Sequence, residues 1–286
     1  HRSVRLVILV GLAIDQIAQS GLSSLSVIYY SAQLFSHSSC GIKMNIQLEA
    51  DFISSYVFQP VYSMEGRLLA VEMLSRFNSL DGDLAMPAEI GINLLAPEQR
   101  IELFNEQLKL AERHADWFTG NSVQLTINIE ETIVELILSD PALCQWIRQY
   151  PFIAFEMSES FSNLSAGKNN PYVQRLSEMF TLWLDDFGSG KATLTALYDG
   201  LFDYVKIDKR FYWQLFTHQG YDVVIDSLLK NINLLCKGVI VGGIEKKEYF
   251  NKLRYAGVLG LQGFLWPSVG VDNLQTLLAK PSEFNN

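Results

Sequence analysis

The sequence contains few cysteine and histidine residues. Its three cysteines, Cys40, Cys144 and Cys236, are widely spaced along 286 residues, and its four histidines are scattered. Isolated cysteines form neither a disulfide framework nor the paired spacing of a zinc site, and scattered histidines argue against a histidine-rich metal centre. This cysteine usage is typical of a reducing compartment, so we expect the protein to be cytoplasmic.

Positively charged residues are outnumbered. The chain has 22 Lys and Arg residues against 31 Asp and Glu residues, which gives a formal net charge of −9. DNA and anionic membrane surfaces attract proteins through clustered positive charge, so we expect neither direct DNA binding nor membrane binding. An anionic ligand would need a local device, such as a metal ion or a single Arg or Lys side chain.

No apolar run near the N-terminus is long enough to span a membrane. The stretch at residues 6–14 is well short of the ~20 residues that a spanning helix needs. It follows two arginines, as a signal-peptide core does, but the chain beyond it has no secreted character and Met44 begins a conventional protein start. We therefore predict that residues 1–43 are an N-terminal extension peripheral to fold and function. Residues 44–286 contain no long Gly, Ser or Pro linker, which indicates one domain.

The sequence does contain an alternation of short apolar runs with amphipathic helical patterns. The apolar runs lie at residues 56–61, 68–74, 123–129, 152–156, 182–185, 204–207 and 239–241. The helical patterns lie at residues 97–114, 131–149, 171–179, 191–199, 220–236 and 245–256. Such alternation is typical of a parallel sheet covered by helices on both faces. Seven or eight strands in ~240 residues favour a (β/α)₈ barrel, and no GxGxxG motif follows the first strand to indicate a dinucleotide-binding fold.

Polar residues stand at the ends of five consecutive predicted strands. They are Glu72, Asn128, Glu156, the pair Asp185 and Asp186, and the pair Lys206 and Asp208. In (β/α)₈ barrels the chemistry lies at the C-terminal ends of the strands. A single acid at a strand end has a structural alternative as a helix cap or a solvated exit. Five in succession predict a ring of functional groups at one mouth of the barrel.

The composition of this ring predicts its chemistry. Carboxylates and an amide without His or Cys are the donors that Mg²⁺ or Mn²⁺ prefers. Adjacent Asp185 and Asp186 can reach two ions, and two ions about 3.5–4 Å apart are a common arrangement for attack on a phosphodiester. Lys206 would orient the attacking water or stabilise charge on the phosphorane, and the alternative is an ion pair with Asp186 or Asp208. Arg76 has the fork geometry to grip a phosphate.

Together these residues resemble the motifs of the EAL domain family, whose members degrade cyclic di-GMP. Gln59-Pro60 is followed by a Glu-x-Leu-x-Arg pattern at residues 72–76, in which the motif that names the family is altered to Glu-Met-Leu. The match continues through residues 128–129, 156–159, 185–190, 206–209 and 262–264. Order and spacing hold from about residue 52 to about residue 275. The resemblance implies the family's α/β fold, a modified TIM (β/α)₈ barrel.

The resemblance also implies a role for each matching residue. The residues that match the family's metal ligands are Glu72, Asn128, Glu156 and Asp185, with Asp186 serving the second ion. Lys206 matches the lysine that positions the attacking water, and Glu159 matches the acid that braces the mobile loop after the Asp-Asp strand. Gln262 matches a glutamine on the catalytic face. Gln59 and Arg76 match contacts to bound cyclic di-GMP, and an active enzyme would need Mg²⁺ or Mn²⁺.

One position departs from the family pattern. The family usually reads Glu-Gly-Val-Glu at the end of the seventh strand, where the first Glu is a metal ligand, but here residues 242–245 read Gly-Gly-Ile-Glu. Gly242 has no side chain, and Glu245 lies too far along the chain to replace it directly. Magnesium tolerates poor geometry badly, and loss of one preorganised group often costs ~10²-fold in rate. We therefore expect an impaired enzyme.

Three further segments, at residues 167–170, 198–202 and 261–267, are similar to a small enterobacterial EAL subgroup. That subgroup includes stand-alone, catalytically degenerate members that bind the flagellar master transcription activator and restrain motility. The alternative is that these segments are ordinary loop and packing residues. An aromatic stretch at residues 211–216 matches the helix near the family's homodimer contact, with helix packing as the alternative.

Two hypotheses for function remain. The favoured one is a degenerate EAL protein of cyclic di-GMP and motility signalling that acts by protein contact, with the flagellar transcription activator as the candidate partner. It leaves open whether cyclic di-GMP is bound. The other is an active Mg²⁺- or Mn²⁺-dependent phosphodiesterase that converts cyclic di-GMP to the linear dinucleotide. The residue at position 242 separates the two.

Overall fold

The computed structural model describes residues 3–9, 47–79, 85–190, 194–254 and 256–285. These residues form two compact units. The first unit comprises the described residues up to Ser55 and those of the segment Ser75–Leu95. The second unit comprises Tyr56–Leu74 and the described residues from Ala96 onwards.

The first unit is built on antiparallel pairings. Its elements are β1 (Ser3–Leu9), the first part of β2 (Gln47–Ser63), the last part of β3 (Leu68–Ser79), β4 (Ala85–Met86) and α1 (Ala88–Leu94). β1 pairs with β2 over residues 47–53, and β4 pairs with the end of β3. The predicted extension therefore contributes one strand. Residues 10–43 lie outside the described residues, so the peripheral role of residues 1–43 stays a prediction.

Eight strands close a barrel in the second unit, as the sequence predicts. Besides β2 and β3 they are β5 (Gln124–Asn128), β6 (Ile153–Ser158), β7 (Thr181–Phe187), β8 (Tyr204–Ile207), β9 (Gly238–Val241) and β10 (Gly260–Gln262). The ring runs β2-β10-β9-β8-β7-β6-β5-β3 and closes through pairing of β3 with β2. Neighbours from β3 to β10 are parallel, whereas β2 is antiparallel to β10. This reversed strand distinguishes the barrel from a regular (β/α)₈ barrel.

Helices follow the barrel strands along the chain. They are α2 (Pro97–Arg113), α3 (Ala115–Asn121), α4 (Glu131–Ser139), α5 (Pro141–Ile147), α6 (Pro171–Ser177), α7 (Leu194–Tyr198), α8 (Lys209–Thr217), α9 (Tyr221–Asn233) and α10 (Lys247–Leu253). Short 3₁₀ turns lie at Leu164–Asn169, Val271–Leu278 and Ser282–Phe284, and β11 (Val269–Gly270) pairs with β2. Across the described ranges, every helix is too short or too polar to cross a membrane.

Side chains of the barrel strands alternate between the helical layer and the barrel interior, because successive residues of a strand point to opposite faces. Leu125, Ile127 and Phe155 belong to the large outer core and are fully buried. The interior holds a separate small cluster, Val61, Ala70, Ala154, Trp183 and Ile240. Two alanines beside one tryptophan let a bulky ring fill the narrow interior.

Candidate functional site

The candidate site lies one layer beyond the interior cluster, at the C-terminal ends of the strands. Glu72 and Asp185 each follow an interior residue, Ala70 and Trp183, by two positions. Residues two apart on a strand share a face, so both carboxylates point into the barrel mouth. The hydrogen bonds and ion pairs of the mouth add Asn128, Glu156, Lys206 and Gln262.

Lys206 is the cation at the centre of the mouth. Its Nζ lies 3.0 Å from Glu72 Oε2 and 3.2 Å from Asp185 Oδ2, and it donates a hydrogen bond to Glu156 Oε2. Burial lowers the pKa of Lys206, but the three carboxylates more than offset burial and hold that pKa well above its ordinary value. Lys206 therefore stays protonated and pairs with these three acids, which the sequence reading did not anticipate.

The carboxylate of Glu72 accepts hydrogen bonds from three side chains, those of Asn128, Lys206 and Gln262. Asn128 Nδ2 donates a hydrogen bond to Glu72 Oε1 at 2.7 Å, and Gln262 Nε2 donates one to Oε2 at 2.9 Å. Burial raises the pKa of Glu72, but the charge of Lys206 and the hydrogen bonds from Asn128, Lys206 and Gln262 bring it below its ordinary value. Glu72 is therefore ionised and fixed in orientation.

The negative charges of Glu156 and Asp185 are offset less completely by Lys206 than that of Glu72. Burial, followed by the negative charge of Glu72, raises the pKa of Glu156 to about 8 against the opposing effect of Lys206. Burial also raises the pKa of Asp185 to about 6, with Lys206 opposing and Asp186 adding to the rise. A single ammonium group does not neutralise three carboxylates, so the mouth keeps an excess of acidic groups.

The three carboxylates fit a single divalent cation. One oxygen from each of Glu72, Glu156 and Asp185 lies within 4.8 Å of the other two. Oxygens around an octahedral ion with bonds of ~2.1 Å are ~3–4.2 Å apart, so a small inward movement suffices. Glu156 Oε1 is buried without a hydrogen-bond partner and has a free lone pair for an ion. The all-oxygen donor set matches Mg²⁺ or Mn²⁺.

Within the described residues, the group of converging carboxylates comprises Glu72, Glu156 and Asp185 and does not include Asp186. Its backbone is left-handed, with φ +58°, a conformation that non-glycine residues adopt mainly where the surrounding structure holds them. Its Oδ2 accepts a hydrogen bond from Ser158 Oγ at 3.2 Å. Burial raises the pKa of Asp186. Its service to a second ion therefore stays a prediction from the resemblance.

Glu159 connects the segments that follow β6 and β7. Its Oε2 accepts hydrogen bonds from the N–H of Ser189 at 2.9 Å and from the Ser189 hydroxyl at 2.8 Å. Its own N–H donates to the carbonyl of Asp185 at 2.9 Å. Glu159 thus connects to the loop that follows the two aspartates of β7. The bracing role stays a prediction from the resemblance, and these hydrogen bonds are the contacts through which Glu159 would act.

Gln59 and Arg76, the predicted nucleotide contacts, lie in different units. Gln59 is buried in the second unit, and its Nε2 donates to the carbonyls of Gly263 at 3.1 Å and Trp266 at 2.7 Å. Arg76 is exposed and belongs to the first unit. The use of Gln59 as a support for the loop after β10 has no signal in the sequence, because its partner Gly263 lies 204 residues further along the chain.

Gly242 lies at the equivalent position directly after β9, two residues beyond the interior residue Ile240. Its N–H donates to the carbonyl of Ile207 at 3.1 Å, and a Cβ added there would lie 3.0 Å from the same oxygen. Glu245 is separated from it by the fully buried Ile244, whose N–H donates to the carbonyl of Gln262. β9 therefore places no carboxylate at the mouth.

Two of the segments that resemble the enterobacterial subgroup contact each other. The N–H of Lys168 donates to Asp199 Oδ2 at 2.7 Å, and Gly167 adopts φ +53°, where a side chain would collide with that carboxylate. In the aromatic stretch, Tyr212 is fully buried and Trp213 Nε1 donates to the carbonyl of Gly243 at 2.9 Å. The stretch packs within the second unit and adds no support for a homodimer contact.

Known proteins share this fold and much of the sequence. The family model described as EAL domain matches residues 47–267. YdiV of Escherichia coli (strain K12) is 31% identical over 237 residues, which cover 83% of this chain and 100% of YdiV. A Salmonella typhimurium (strain LT2) protein named "Anti-FlhC(2)FlhD(4) factor YdiV" is 30% identical over the same shares of the two chains. The solved structure titled "Crystal structure of EAL-like domain protein YdiV" aligns with a TM-score of 0.75 and 31% identity, over 80% of this chain and 97% of that chain. The chain belongs to the EAL domain family.

Proposed function

We propose that this chain restrains flagellar gene expression by binding a transcription activator of the FlhC₂FlhD₄ type. The Salmonella relative named as an anti-FlhC₂FlhD₄ factor is matched along its whole length, which supports the same kind of partner for this chain. The formal charge of −9 favours action through a protein contact over action on DNA. Such a partner works in the cytoplasm, the compartment that the cysteine usage also favours.

The observation that carries the proposal is Gly242. The mouth keeps Glu72, Asn128, Glu156, Asp185 and Lys206, but β9 supplies no carboxylate beside them. Attack on a phosphodiester depends on charge-stabilising groups that are fixed in advance, and loss of one group typically costs ~10²-fold in rate. The contact function does not depend on this ligand, so it survives the loss.

We further propose that Glu72, Glu156 and Asp185 hold one Mg²⁺ or Mn²⁺, with Asn128 orienting Glu72. A bound ion would polarise a phosphate and activate a water molecule. Lys206 would keep its proton and offset charge on the phosphate, and the loop held by Glu159 would limit access of water. Cyclic di-GMP is then a ligand that the mouth can hold with little or no turnover.

Active hydrolysis of cyclic di-GMP is the second candidate function. The specific observation in its favour is that three carboxylates, two of them buried, still converge within 4.8 Å. Under this alternative a water molecule takes the place of the missing ligand from β9, and the chain retains a phosphodiesterase rate.

A paired experiment separates the two functions. Purified chain is mixed with purified FlhC₂FlhD₄ and analysed by size exclusion and biolayer interferometry, with and without cyclic di-GMP and Mn²⁺. The same preparation is assayed for linear dinucleotide, with Glu72→Ala as the control. We expect a stable complex and turnover no higher than that of the control. Absence of a complex would refute the partner proposal, and turnover abolished by Glu72→Ala would establish the enzyme.

A further inference from the structure

A groove of about 360 Å³ lies on the helical layer of the second unit, away from the barrel mouth. Part of its apolar lining, here called the floor, comes from Ile137 and Leu138 of α4 and from Met179, which follows α6. Cys144 of α5 also lines it, with Sγ 3.6 Å from Met179 Sδ. Apolar carbon and sulfur atoms therefore make up most of the concave surface, as in many small-molecule sites.

Two arginines line the same groove, Arg148 at the end of α5 and Arg175 in α6. Both side chains are exposed, and in the described part of the chain neither has an ion-pair or hydrogen-bond partner. None of the residues lining the groove is acidic. Acids outnumber bases in the whole chain by 31 to 22, so two unpaired guanidinium groups beside one apolar cavity form a local charge that a ligand can complement.

We propose that this groove binds a single-chain carboxylate, with the apolar chain on the floor and the carboxylate between Arg148 and Arg175. Inorganic phosphate would leave the floor uncovered, and a neutral apolar molecule would leave both guanidinium groups unpaired. At about 30 Å³ for each atom-sized group, as for water in the liquid, the groove accommodates roughly twelve non-hydrogen atoms. A fatty-acid anion of about eight to ten carbons has this size.

Cys144 provides a direct readout of occupancy, since its thiol lies among the lining atoms. In full-length Cys40→Ser protein, the rate of modification by N-ethylmaleimide is measured separately for Cys144 and Cys236 by peptide mass spectrometry. Cys236 is the internal reference, because its Sγ lies elsewhere and donates to the carbonyls of Ile232 and Gly238. With octanoate at about five times its Kd, labelling of Cys144 should slow about sixfold while labelling of Cys236 stays unchanged.

Charge is tested with matched variants. The midpoint is the ligand concentration that halves the rate of Cys144 labelling. We expect Arg148→Gln combined with Arg175→Gln to raise the octanoate midpoint by at least about tenfold and to leave the midpoint for neutral 1-octanol unchanged. Arg67→Gln, at an exposed arginine outside the groove, should leave both midpoints unchanged. The proposal is overturned if octanoate fails to protect Cys144, slows Cys236 equally, or binds the double variant with the same midpoint.

Discussion

Lys206 sets the charge balance of the barrel mouth. Its ammonium group contacts three carboxylates, and in the described part of the chain no other cation forms an ion pair with them. Buried acids that lose their cation partner become costly to keep in a folded protein, because water does not replace the missing charge. The same change at a surface ion pair has little effect.

We expect Lys206→Met to lower the free energy of unfolding by about 3 kcal/mol or more, as measured by urea denaturation. Millimolar Mg²⁺ or Mn²⁺ should recover part of the loss by occupying the same carboxylates. The control is Lys237→Met, at a pair in which Nζ lies 2.7 Å from Asp203 Oδ1 and the lysine side chain is 69% exposed. That control should cost no more than about 1 kcal/mol. Equal effects in the two variants would show that Lys206 is not a buried counterion.

Gly242→Glu tests whether one missing ligand accounts for impaired catalysis. The new carboxylate would enter the mouth from β9, and we expect production of linear dinucleotide with Mn²⁺ to rise at least ~10²-fold. The added Cβ lies 3.0 Å from the carbonyl of Ile207, so the backbone must move by a few tenths of an ångström. Gly242→Ala carries the same steric cost without the carboxylate, and Glu72→Ala removes a ligand. If Gly242→Glu stays at the Gly242→Ala rate, the degeneracy extends beyond this position.

A recurring apolar pattern predicts helical structure, but it does not mark where one helix ends and the next begins. The helical pattern at residues 131–149 predicts one helix, but the structure has α4 and α5 with Asp140 between them. Both helices bury apolar residues, such as Ile137 and Ile147, so apolar residues recur on both sides of the break. Pro141 has no N–H to continue the hydrogen-bond ladder, and this local chemistry overrides the pattern.

The start of α5 depends on Asp140. Its Oδ1 accepts hydrogen bonds from the N–H groups of Ala142 and Leu143, both at 3.0 Å. We expect Asp140→Ala to lower the free energy of unfolding by about 1 kcal/mol, and Asp140→Asn to lower it much less because the amide oxygen still caps. Differential scanning fluorimetry and urea denaturation report both. Equal losses for the two substitutions would argue against a capping role.

For the whole molecule, the barrel could be predicted because alternating strands and helices have few solutions, and the site because strand ends meet at one mouth. The division into two units could not be predicted from the sequence. Two of its three boundaries, Ser55/Tyr56 and Leu74/Ser75, fall inside the continuous strands β2 and β3, and the third, Leu95/Ala96, lies between α1 and α2. A search for Gly, Ser or Pro linkers has no means of finding such a boundary. The loop-supporting contacts of Gln59 escaped prediction for the related reason that they join distant segments.

Removal of residues 1–43 tests the assignment of the N-terminal extension. β1 pairs with residues 47–53 of β2, in the part of that strand that belongs to the first unit. We therefore expect the melting temperature of the barrel to be almost unchanged in a chain that begins at Met44. The measurement is thermal unfolding, monitored through the near-ultraviolet circular dichroism of the barrel aromatics. A large fall in melting temperature would show that the extension stabilises the whole chain.

The ammonium group of Lys206 lies within 3.2 Å of acids whose charge would otherwise be balanced only by a metal ion. Many metal-binding domains remain unfolded until the ion arrives, so their abundance follows the cell's supply of that ion. We therefore expect a barrel that carries its own counterion to fold without bound manganese or magnesium. Under the proposed contact function, we expect the folded amount available to the protein partner to follow synthesis and turnover rather than the supply of these ions.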